Sequence, residues 1–416
     1  MMVTKADTTR KVRHTSRIEL SQPALRKNVN FIRKKIGQKP VLSAVVKANA
    51  YGHGIEPMVQ MLENCGVNHF AVASAFEAEE VLEVCSEDST IMVMGILYDE
   101  DIDWILRNEI EFYVFSYERL AVVLEQAQKV GKKAIVHIEV ETGTNRTGMT
   151  MPYFKKALEF LKQHKEHITF QGICTHLGGA ESASNRFKID EQIHRFKEFL
   201  EEMDRQYYHP RYRHIACSAA ALAYPETIYD MVRVGVATYG FWPSADTYRK
   251  HLHDVGKTKD APMSRILRWK TDIMDLKHVP KGDYIGYGTA FQAKHDMDIA
   301  VIPLGYSNGY PRGLSNNGQV LIRGRKAPIV GLINMNLFMV DVSHFGEVAI
   351  GDEVVLLGKQ KNNVIKVSSF TNAADLLNNE MLSRLPTAIP RKIIKKPENP
   401  FRNQRQEAGT LSKKDR

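Results

Sequence analysis

Eight short β-rich runs, separated mostly by helical stretches, dominate the first 240 residues of the chain. In chain order they read VLSAVVKAN, HFAVAS, TIMVMGI, EFYVFS, AIVHIEVE, TFQGICTHL, RHIACS and MVRVGVATYG. Apolar residues recur at helical spacing in the stretches between them, for example in YERLAVVLEQAQKVGK. Eight such strands over about 230 residues predict an α/β fold with a (β/α)8 TIM barrel. We place the barrel at residues 17–250, with a doubly wound parallel sheet as the alternative.

A change of pattern near residue 261 predicts a second domain. The long helical patterns stop there, and the chain continues as ILRWKTDIMDLKHV, DIAVIPLGYSNG and GQVLIRGRKAPIVGLINMNLFMVDVS. Strand-like runs joined by turns indicate a C-terminal, mainly β domain over residues 261–391. The intervening segment DTYRKHLHDVGKTKDAPMS is predicted to be a polar joint between the two domains.

The net charge of +9 lies at the two ends of the chain. Residues 1–17 carry a net +4 and residues 392–416 a net +5, so the body between them is formally neutral. This pattern predicts a basic N-terminal tail at 1–16 and a basic, disordered tail at 396–416. Contact of the tails with RNA or a membrane surface is an alternative, but the neutral body predicts no nucleic-acid partner.

The composition also bears on location and on cysteine chemistry. No apolar run is long enough to span a membrane and no secretory signal is visible, so we expect a cytoplasmic protein without a membrane partner. The four cysteines lie far apart without CxxC spacing. They are therefore predicted to be reduced, mostly buried thiols rather than disulfide or zinc ligands.

Five side chains that could take part in binding or catalysis lie in or just after the predicted strands: Lys47, His137, His176, His214 and Arg233. Taken singly, each has an ordinary structural explanation, such as a surface lysine, a hydrogen-bonded core histidine or half of an ion pair. In a barrel, however, the C-terminal ends of all strands meet at one mouth. Together the five residues predict a single site there.

The motif VVKANAYGHG gives that site its chemistry. A lysine desolvated at a barrel mouth has a lowered amine pKa and can form a Schiff base with a carbonyl group. Pyridoxal phosphate carries such a carbonyl, and it also needs donors for its phosphate and a partner for its ring nitrogen. The candidates are Lys47 for the carbonyl, Tyr51, Ser218, Gly235 and Val236 for the phosphate, and Arg233 for the ring.

A metal site is the competing interpretation of the histidines. Three of them follow strands, and HLHD, from His251 to Asp254, adds an HxH pair. That pair lies in the predicted joint, and no set of carboxylates accompanies it. We therefore predict no metal.

Five motifs of the chain resemble the alanine racemase family of fold-type III pyridoxal-phosphate enzymes. They are VVKANAYGHG, RVGVATYG, GYGTAF, PLGYSNG and NMNLFMVDV, and the resemblance spans roughly Arg17 to Arg391. It implies an N-terminal (β/α)8 barrel, a C-terminal β domain and a homodimer with active sites built from both subunits. The implied activity is interconversion of L- and D-alanine, which supplies D-alanine for peptidoglycan precursors.

The resemblance also implies residue roles. Lys47 would be the cofactor-binding lysine and one of two catalytic bases, and Tyr287, from the second subunit, would be the other. The implied cofactor-binding residues are Lys47, Tyr51, His176, His214, Ser218, Arg233, Gly235 and Val236. The implied substrate-binding residues are Arg146, Met335 and Tyr306.

Departures from the family pattern gather around the implied pocket. They are Glu139 for a carbamylated lysine, Asn379 for a phosphate-binding tyrosine, Asn336 for an aspartate, Leu332 for an arginine and Glu181 for an aspartate. We interpret Glu139 as a fixed anion that orients Arg146 without carbon dioxide. Because the departures surround the pocket, a broad-specificity racemase acting on lysine, arginine or serine is the nearest alternative to alanine racemase.

Two further classes share the lysine and the barrel. A non-catalytic pyridoxal-phosphate carrier would lack the second domain, which the strand-rich region 261–391 and Tyr287 indicate here. A decarboxylase of this fold would be expected to place an acidic residue at the ring nitrogen, where this chain has Arg233.

Overall fold

The computed structural model describes residues 13–374 and 378–396, without the side chains of 371–374. It forms two compact units. One unit is Ala24–Ile266, and the other combines the described residues up to Pro23 with those from Leu267 onward. The two predicted basic tails lie outside the described residues, apart from positions 13–16 and 396.

The first strand of the chain, β1 (Ser16–Ser21), belongs to the second unit, and the next eight form the barrel. These are β2 (Val41–Val45), β3 (His69–Val72), β4 (Thr90–Val93), β5 (Glu111–Val114), β6 (Ala134–Glu139), β7 (Ile168–Cys174), β8 (Tyr212–His214) and β9 (Met231–Val234). All paired neighbours are parallel, in the order β8-β7-β6-β5-β4-β3-β2-β9.

Two backbone hydrogen bonds join the outer strands of this sheet. The Arg233 N–H donates to the Ala216 carbonyl over 2.9 Å, and the Asp230 N–H donates to the Arg213 carbonyl over 3.1 Å. The sheet therefore closes almost completely into a TIM-like barrel. Each of the eight predicted runs overlaps one strand, so the predicted barrel is confirmed and the doubly wound alternative is wrong.

Helices alternate with the barrel strands, and amphipathic spacing predicts the longer ones, whereas Lys47–Tyr51 is a short left-handed turn. They are α1 (Gln22–Ile36), α2 (Lys47–Tyr51), α3 (Ile55–Glu63), α4 (Ala75–Leu82), α5 (Asp99–Arg107), α6 (Glu118–Val130), α7 (Met151–Gln163), α8 (Arg186–Arg205), α9 (Ser218–Ala223) and α10 (Ala245–Asp254). In α1 the apolar residues at helical spacing, Leu25, Val29, Ile32 and Ile36, are all buried. None of the helices in the described part of the chain is long and apolar enough to cross a membrane.

The segment predicted as a polar joint is instead built into the barrel unit. It contains all of α10 except the first residue. A reciprocal capping box between Ser244 and Thr247 begins this helix. His251 is buried, packs edge-on against Phe31 and bonds Asp260 over 2.9 Å. The prediction was wrong because one of the polar residues of this segment, His251, packs into the interior.

The second unit is built on a ten-stranded sheet that also contains β1. Its other strands are β10 (Leu267–Asp272), β11 (Asp275–Val279), β12 (Met297–Ile302), β13 (Gln319–Ile322), β14 (Arg325–Val330), β15 (Phe338–Asp341), β16 (Glu353–Gln360), β17 (Asn363–Ile365) and β18 (Arg391–Ile394). Strand β1 pairs antiparallel with β10 and parallel with β18. Residues 17–23, predicted to open the barrel, thus lie in the mainly β unit.

Aromatic side chains form part of the second unit's core. Tyr310 stacks on Phe338 at 4.8 Å between ring centroids and lies within 5.8 Å of Trp269. Two short helices, α11 (Val367–Ala374) and α12 (Asn378–Ser383), precede the last strand.

The four cysteines are free thiols. Only Cys174 is fully buried, whereas the other three are half-buried. The absence of disulfides agrees with the spacing, but the burial is lower than the sequence predicted.

Candidate active site

Lys47 begins α2, the segment that directly follows barrel strand β2. The next four residues, Ala48 to Tyr51, have φ between 51° and 54°, so this turn is left-handed. Such a conformation costs an L-residue about 1–2 kcal/mol, and non-glycine residues normally adopt it singly. Four in succession mark a strained segment, and strain of this kind clusters at functional sites.

Hydrogen bonds from outside the turn hold it in place. The Glu77 carboxylate accepts the Ala48 N–H over 2.6 Å and the Ala73 N–H over 2.8 Å. The Asn49 side-chain oxygen accepts the Ile55 N–H over 3.0 Å at the start of α3. These hydrogen bonds tie the turn to α3 and α4 and so fix the position of Lys47 after strand β2.

The environment of Lys47 favours a neutral amine. Its pKa is lowered because neighbouring atoms desolvate the ammonium and Arg146 repels it, while Glu77 acts in the opposite direction. The side chain is nevertheless exposed at the end of its strand. An accessible amine with a lowered pKa is suited to react with a carbonyl or to take up a proton.

His176 follows strand β7 and belongs to the same electrostatic neighbourhood. Burial, and then the positive charges of Arg233 and Arg146, lower the pKa of His176 to about 3. The imidazole is therefore neutral at physiological pH. A neutral ring can lie against an aromatic ligand without adding charge.

Tyr51, Ser218 and Gly235 form a compact polar cradle. A Cβ atom on Gly235 would lie 2.4 Å from the Tyr51 hydroxyl oxygen, so only glycine allows this approach. The Gly235 N–H donates to Ser218 Oγ over 3.0 Å, and Val236 follows directly in the chain. Burial raises the pKa of Tyr51 to about 12, which keeps its hydroxyl protonated as a donor. These groups suit an anion.

Arg233 is buried in strand β9 and held by three acceptors. Its Nη1 donates to His214 Nδ1 over 2.8 Å and to the His214 carbonyl over 2.7 Å. Its Nη2 donates to the Thr175 carbonyl over 2.8 Å. None of the ion pairs among the described residues includes Arg233, so the guanidinium remains a charged donor without a direct carboxylate partner.

His137 lies inside the barrel rather than at its mouth, where the sequence placed it. Its ring is fully buried and bonds His214 on one side and Glu111 on the other. The prediction was wrong because His137 lies two residues before the end of strand β6, too early to reach the mouth.

Arg146 and Glu139 approach each other in the barrel unit. Arg146 Nη2 lies 3.7 Å from Glu139 Oε1, with the arginine exposed and the carboxylate buried. The loop that carries Arg146 is closed by Glu141, which accepts the Thr144 N–H over 2.7 Å. The structure therefore joins two residues that the sequence analysis paired.

The remaining candidate residues lie in the second unit. Tyr287 is 72% exposed, in a loop where Gly286 and Gly288 have φ of 79° and 69°. The Tyr306 N–H donates to the Asn334 carbonyl over 3.0 Å, which brings Tyr306 beside the segment that carries Met335. Tyr287 thus lies in a loop, and Tyr306 begins a short 3-10 helix.

The residues that depart from the family pattern lie in both units. Leu332 lies beside the Tyr287 loop, since a Cβ on Gly288 would be 3.6 Å from Leu332 Cδ1. The Asn336 amide donates to Ser307 Oγ over 2.8 Å. Asn379 is an exposed residue of α12. Glu181, in the barrel unit, is exposed, and its carbonyl accepts the Ser244 hydroxyl.

Two carboxylates that shape the site were missed in the sequence. Glu77 lies in the first turn of α4 and bonds the Lys47 turn across 29 positions of sequence, a separation that carries no local signal. Glu111 opens the otherwise apolar run EFYVFS and is only 3% exposed. A charged first residue of a buried strand was the signal that could have identified Glu111.

Comparison with known proteins identifies the family. The model of the alanine racemase N-terminal domain matches residues 20–243, and that of the C-terminal domain matches residues 266–393. The chain belongs to the alanine racemase family. The alanine racemase of Leptospira interrogans is 33% identical over 384 residues, which cover 92% of this chain and 96% of the relative.

Solved alanine racemases share the fold over almost the whole chain. That of Clostridium difficile superposes with a TM-score of 0.84 at 26% identity, covering 93% of this chain and 98% of the other. The Bartonella henselae alanine racemase with covalently bound pyridoxal phosphate superposes with a TM-score of 0.77 at 25% identity, covering 92% and 100%.

Proposed function

We propose that this chain is a pyridoxal-phosphate-dependent racemase that interconverts L- and D-alanine. The observation that carries the proposal is the placement of Lys47, an accessible lysine with a lowered pKa on a strained, anchored turn at the end of a barrel strand. Family membership and the activity named for the relatives support the same conclusion.

The residues at the end of the barrel strands fit the three chemical needs of pyridoxal phosphate. Lys47 offers an amine for the aldehyde. Tyr51 and Ser218 offer hydroxyls for the phosphate, at the point where Gly235 leaves no room for a Cβ. Arg233 offers a buried charged donor for the ring nitrogen.

Racemisation needs proton transfer on opposite faces of the substrate's α-carbon. When bound, the cofactor supplies an electron-withdrawing ring that makes the α-hydrogen acidic. We assign Lys47 Nζ to removing or returning the proton on one face, because its lowered pKa makes the amine easier to deprotonate. We assign the Tyr287 hydroxyl to the opposite face, and Arg146 to the substrate carboxylate.

Arg233 limits the side reactions that compete with racemisation. Its guanidinium keeps its proton throughout the physiological range, so Arg233 donates a hydrogen bond without giving up the proton. Arg233 would hold the ring nitrogen without protonating it, so the ring would withdraw electrons less strongly. This arrangement disfavours side reactions such as transamination.

A homodimer would supply Tyr287 to the site of a partner subunit. Tyr287, Tyr306 and Met335 are 72%, 44% and 55% exposed, so a partner subunit could reach all three side chains. Mixing Lys47→Ala and Tyr287→Phe chains tests this idea, because each mixed dimer regains one intact site. We expect activity in the mixture from two nearly inactive proteins, and no recovery would contradict the shared site.

We also propose that the enzyme acts in the cytoplasm and supplies D-alanine for peptidoglycan precursors. This role is the one that the family resemblance implies.

A broad-specificity racemase is the second candidate. Leu332 and Asn336 favour it, because they replace charged residues beside the loops that carry Tyr287 and Met335. A wider or less charged entrance would admit longer side chains.

The deciding experiment incubates the cofactor-loaded protein with single L-amino acids and measures each D-isomer by chiral chromatography. We expect conversion of alanine far ahead of serine, lysine and arginine. Comparable rates for lysine or arginine would establish the broad-specificity alternative. No conversion of any substrate would overturn the proposal and leave a cofactor carrier.

The same preparation tests the role of Lys47. Lys47→Ala should lose the cofactor's absorption band on dialysis, whereas Lys162→Ala, an exposed control on α7, should keep it. Borohydride reduction followed by peptide mapping should find the cofactor on the Lys47 peptide. A label elsewhere would contradict the assignment.

A further inference from the structure

A row of buried polar side chains crosses the interior of the barrel, starting from Arg233. Arg233 bonds His214 over 2.8 Å, His214 bonds His137 over 2.8 Å, and His137 bonds Glu111 over 2.9 Å. All four residues are at most 5% exposed. Barrel interiors are normally filled by branched apolar side chains, so this polar row is costly and calls for an explanation.

The chemistry of the end groups fixes every proton in the row. Arg233 can only donate, so His214 Nδ1 accepts and His214 Nε2 carries the hydrogen. That hydrogen is donated to His137 Nδ1, and His137 Nε2–H is donated to Glu111. Both histidines are therefore neutral Nε2–H tautomers, between a guanidinium at one end and a carboxylate at the other.

The electrostatics agree with this assignment. Burial lowers the pKa of both His137 and His214 from the ordinary value. Burial alone would raise the pKa of Glu111, but hydrogen bonds from His137 and His69 outweigh it and hold the pKa well below its usual range. Glu111 is therefore ionised while the two histidines stay neutral.

Other residues hold the carboxylate in position. Gln171 Nε2 donates to Glu111 Oε1 over 2.8 Å. His69 Nε2 lies 3.4 Å from Glu111 Oε2, and His69 Nδ1 bonds Ser43 Oγ over 2.9 Å. Donors from three strands thus converge on Glu111, which makes it the fixed acceptor at the end of the row.

We propose that Glu111 is a positioning residue for the cofactor site. Its carboxylate sets the tautomers of His137 and His214 and so presents a lone pair to Arg233, which is thereby held as a charged, oriented donor for the cofactor ring. Among the carboxylates, the negative charge of Glu139 acts on Arg233, so the role of Glu111 is to set the tautomers. The inference rests on the proposed binding of pyridoxal phosphate at Lys47.

The first test uses the cofactor-free wild-type protein. Nitrogen-15 NMR of labelled histidine, assigned with His137→Asn and His214→Asn, reports the protonation of each ring nitrogen. We expect both rings to give the neutral Nε2–H pattern from pH 6 to 8. An imidazolium, or the Nδ1–H tautomer at either ring, would overturn the proposal without any change at Glu111.

The second test removes the charge but keeps the shape. Glu111→Gln should disturb the fixed pattern at His137 and His214 and weaken equilibrium binding of pyridoxal phosphate by about ten- to hundredfold. Glu111→Asp, which keeps the charge, should recover part of that loss. Glu202→Gln, at a buried carboxylate on α8 bonded to Gln206, is the matched control and should bind as wild type.

The outcomes separate this inference from the proposed function. If wild type fails to bind the cofactor at Lys47, the proposed function fails first. If wild type binds it, and folded Glu111→Gln keeps both the wild-type affinity and the wild-type NMR pattern, only the positioning role is overturned. Far-UV circular dichroism shows whether each variant is folded. If Glu111→Gln is unfolded, the tautomers of His137 and His214 in the wild-type protein decide whether the positioning role holds.

Discussion

Tyr287 is a strongly exposed side chain in a glycine-flanked loop, and we assign it to one face of the substrate. Tyr287→Phe removes the hydroxyl but keeps the ring, so we expect the turnover number to fall by about 10²–10⁴-fold. The affinity for pyridoxal phosphate should not change, because Lys47 and the cradle are intact. Steady-state kinetics and cofactor titration measure the two quantities.

A matched control for Tyr287 lies in the same loop. Tyr284 is 55% exposed, and Tyr284→Phe should keep the wild-type turnover number. Equal turnover for Tyr287→Phe and wild type would remove Tyr287 from the mechanism.

Glu139 places a buried carboxylate 3.7 Å from the Arg146 guanidinium. Glu139→Gln removes the charge that orients Arg146, so we expect the Michaelis constant for alanine to rise by about three- to tenfold, the scale of one weak ion pair. Because the anion is part of the chain, added bicarbonate should not change wild-type activity. An unaltered Michaelis constant in the variant, or activation by bicarbonate, would contradict this role.

At the scale of single elements, the close approach of Tyr51 and Gly235 defines the cradle between α2 and β9. Gly235→Ala puts a Cβ 2.4 Å from the Tyr51 hydroxyl, so we expect a loss of about 1–3 kcal/mol in stability and weaker binding of pyridoxal phosphate. Urea unfolding and cofactor titration measure the two effects.

A double-mutant cycle isolates the contact in the cradle. In a Tyr51→Phe background the hydroxyl oxygen is absent, so Gly235→Ala should cost less than it does in wild type. Equal costs in both backgrounds would show that the close contact does not determine the need for glycine.

The elements also show how far the sequence predicts this fold. All eight barrel strands were found because buried parallel strands appear as short β-branched runs between amphipathic helices. The left-handed turn after Lys47 was not predicted, because its residues include no glycine and its support, Glu77, is distant in sequence. The barrel was predicted to begin at residue 17, where β1 lies instead, because β1 pairs with β10 and β18, and pairing over such separations has no local signature.

The same limit applies to the site. Lys47 and Arg233 were identifiable because a lone charged residue in or just after an apolar strand is conspicuous. His137 was assigned to the mouth because spacing along a strand does not reveal depth within a barrel. Glu111 went unnoticed because its partners come from three other strands.

At the scale of the whole molecule, three histidines with lowered pKa values link stability to pH. Burial is the first cause for His137, His176 and His214, and the pKa of His176 falls to about 3. The unfolded chain binds these protons below about pH 6.5, whereas the folded protein binds them only at a lower pH. The free energy of unfolding of the cofactor-free protein should therefore fall as the pH drops from 7 to 5.

Urea unfolding at pH 7, 6 and 5 measures this dependence. Each histidine contributes a slope of at most about 1.4 kcal/mol per pH unit. His176→Gln should make the fall in the free energy of unfolding shallower. The control is His278→Asn, at an exposed residue whose pKa is raised by its hydrogen bond to Asp298, and it should not make the fall shallower. Stability that is constant or rises toward pH 5 would contradict neutral buried histidines.

The central claim is that Lys47 and Tyr287 exchange the α-proton of alanine on opposite faces. The most direct measurement incubates cofactor-loaded protein with L-alanine in D2O and analyses both enantiomers by chiral chromatography with mass spectrometry. The account predicts D-alanine that carries solvent deuterium at its α-carbon, with no such product from Lys47→Ala. Alanine that stays entirely L and undeuterated, with cofactor bound at Lys47, would contradict it.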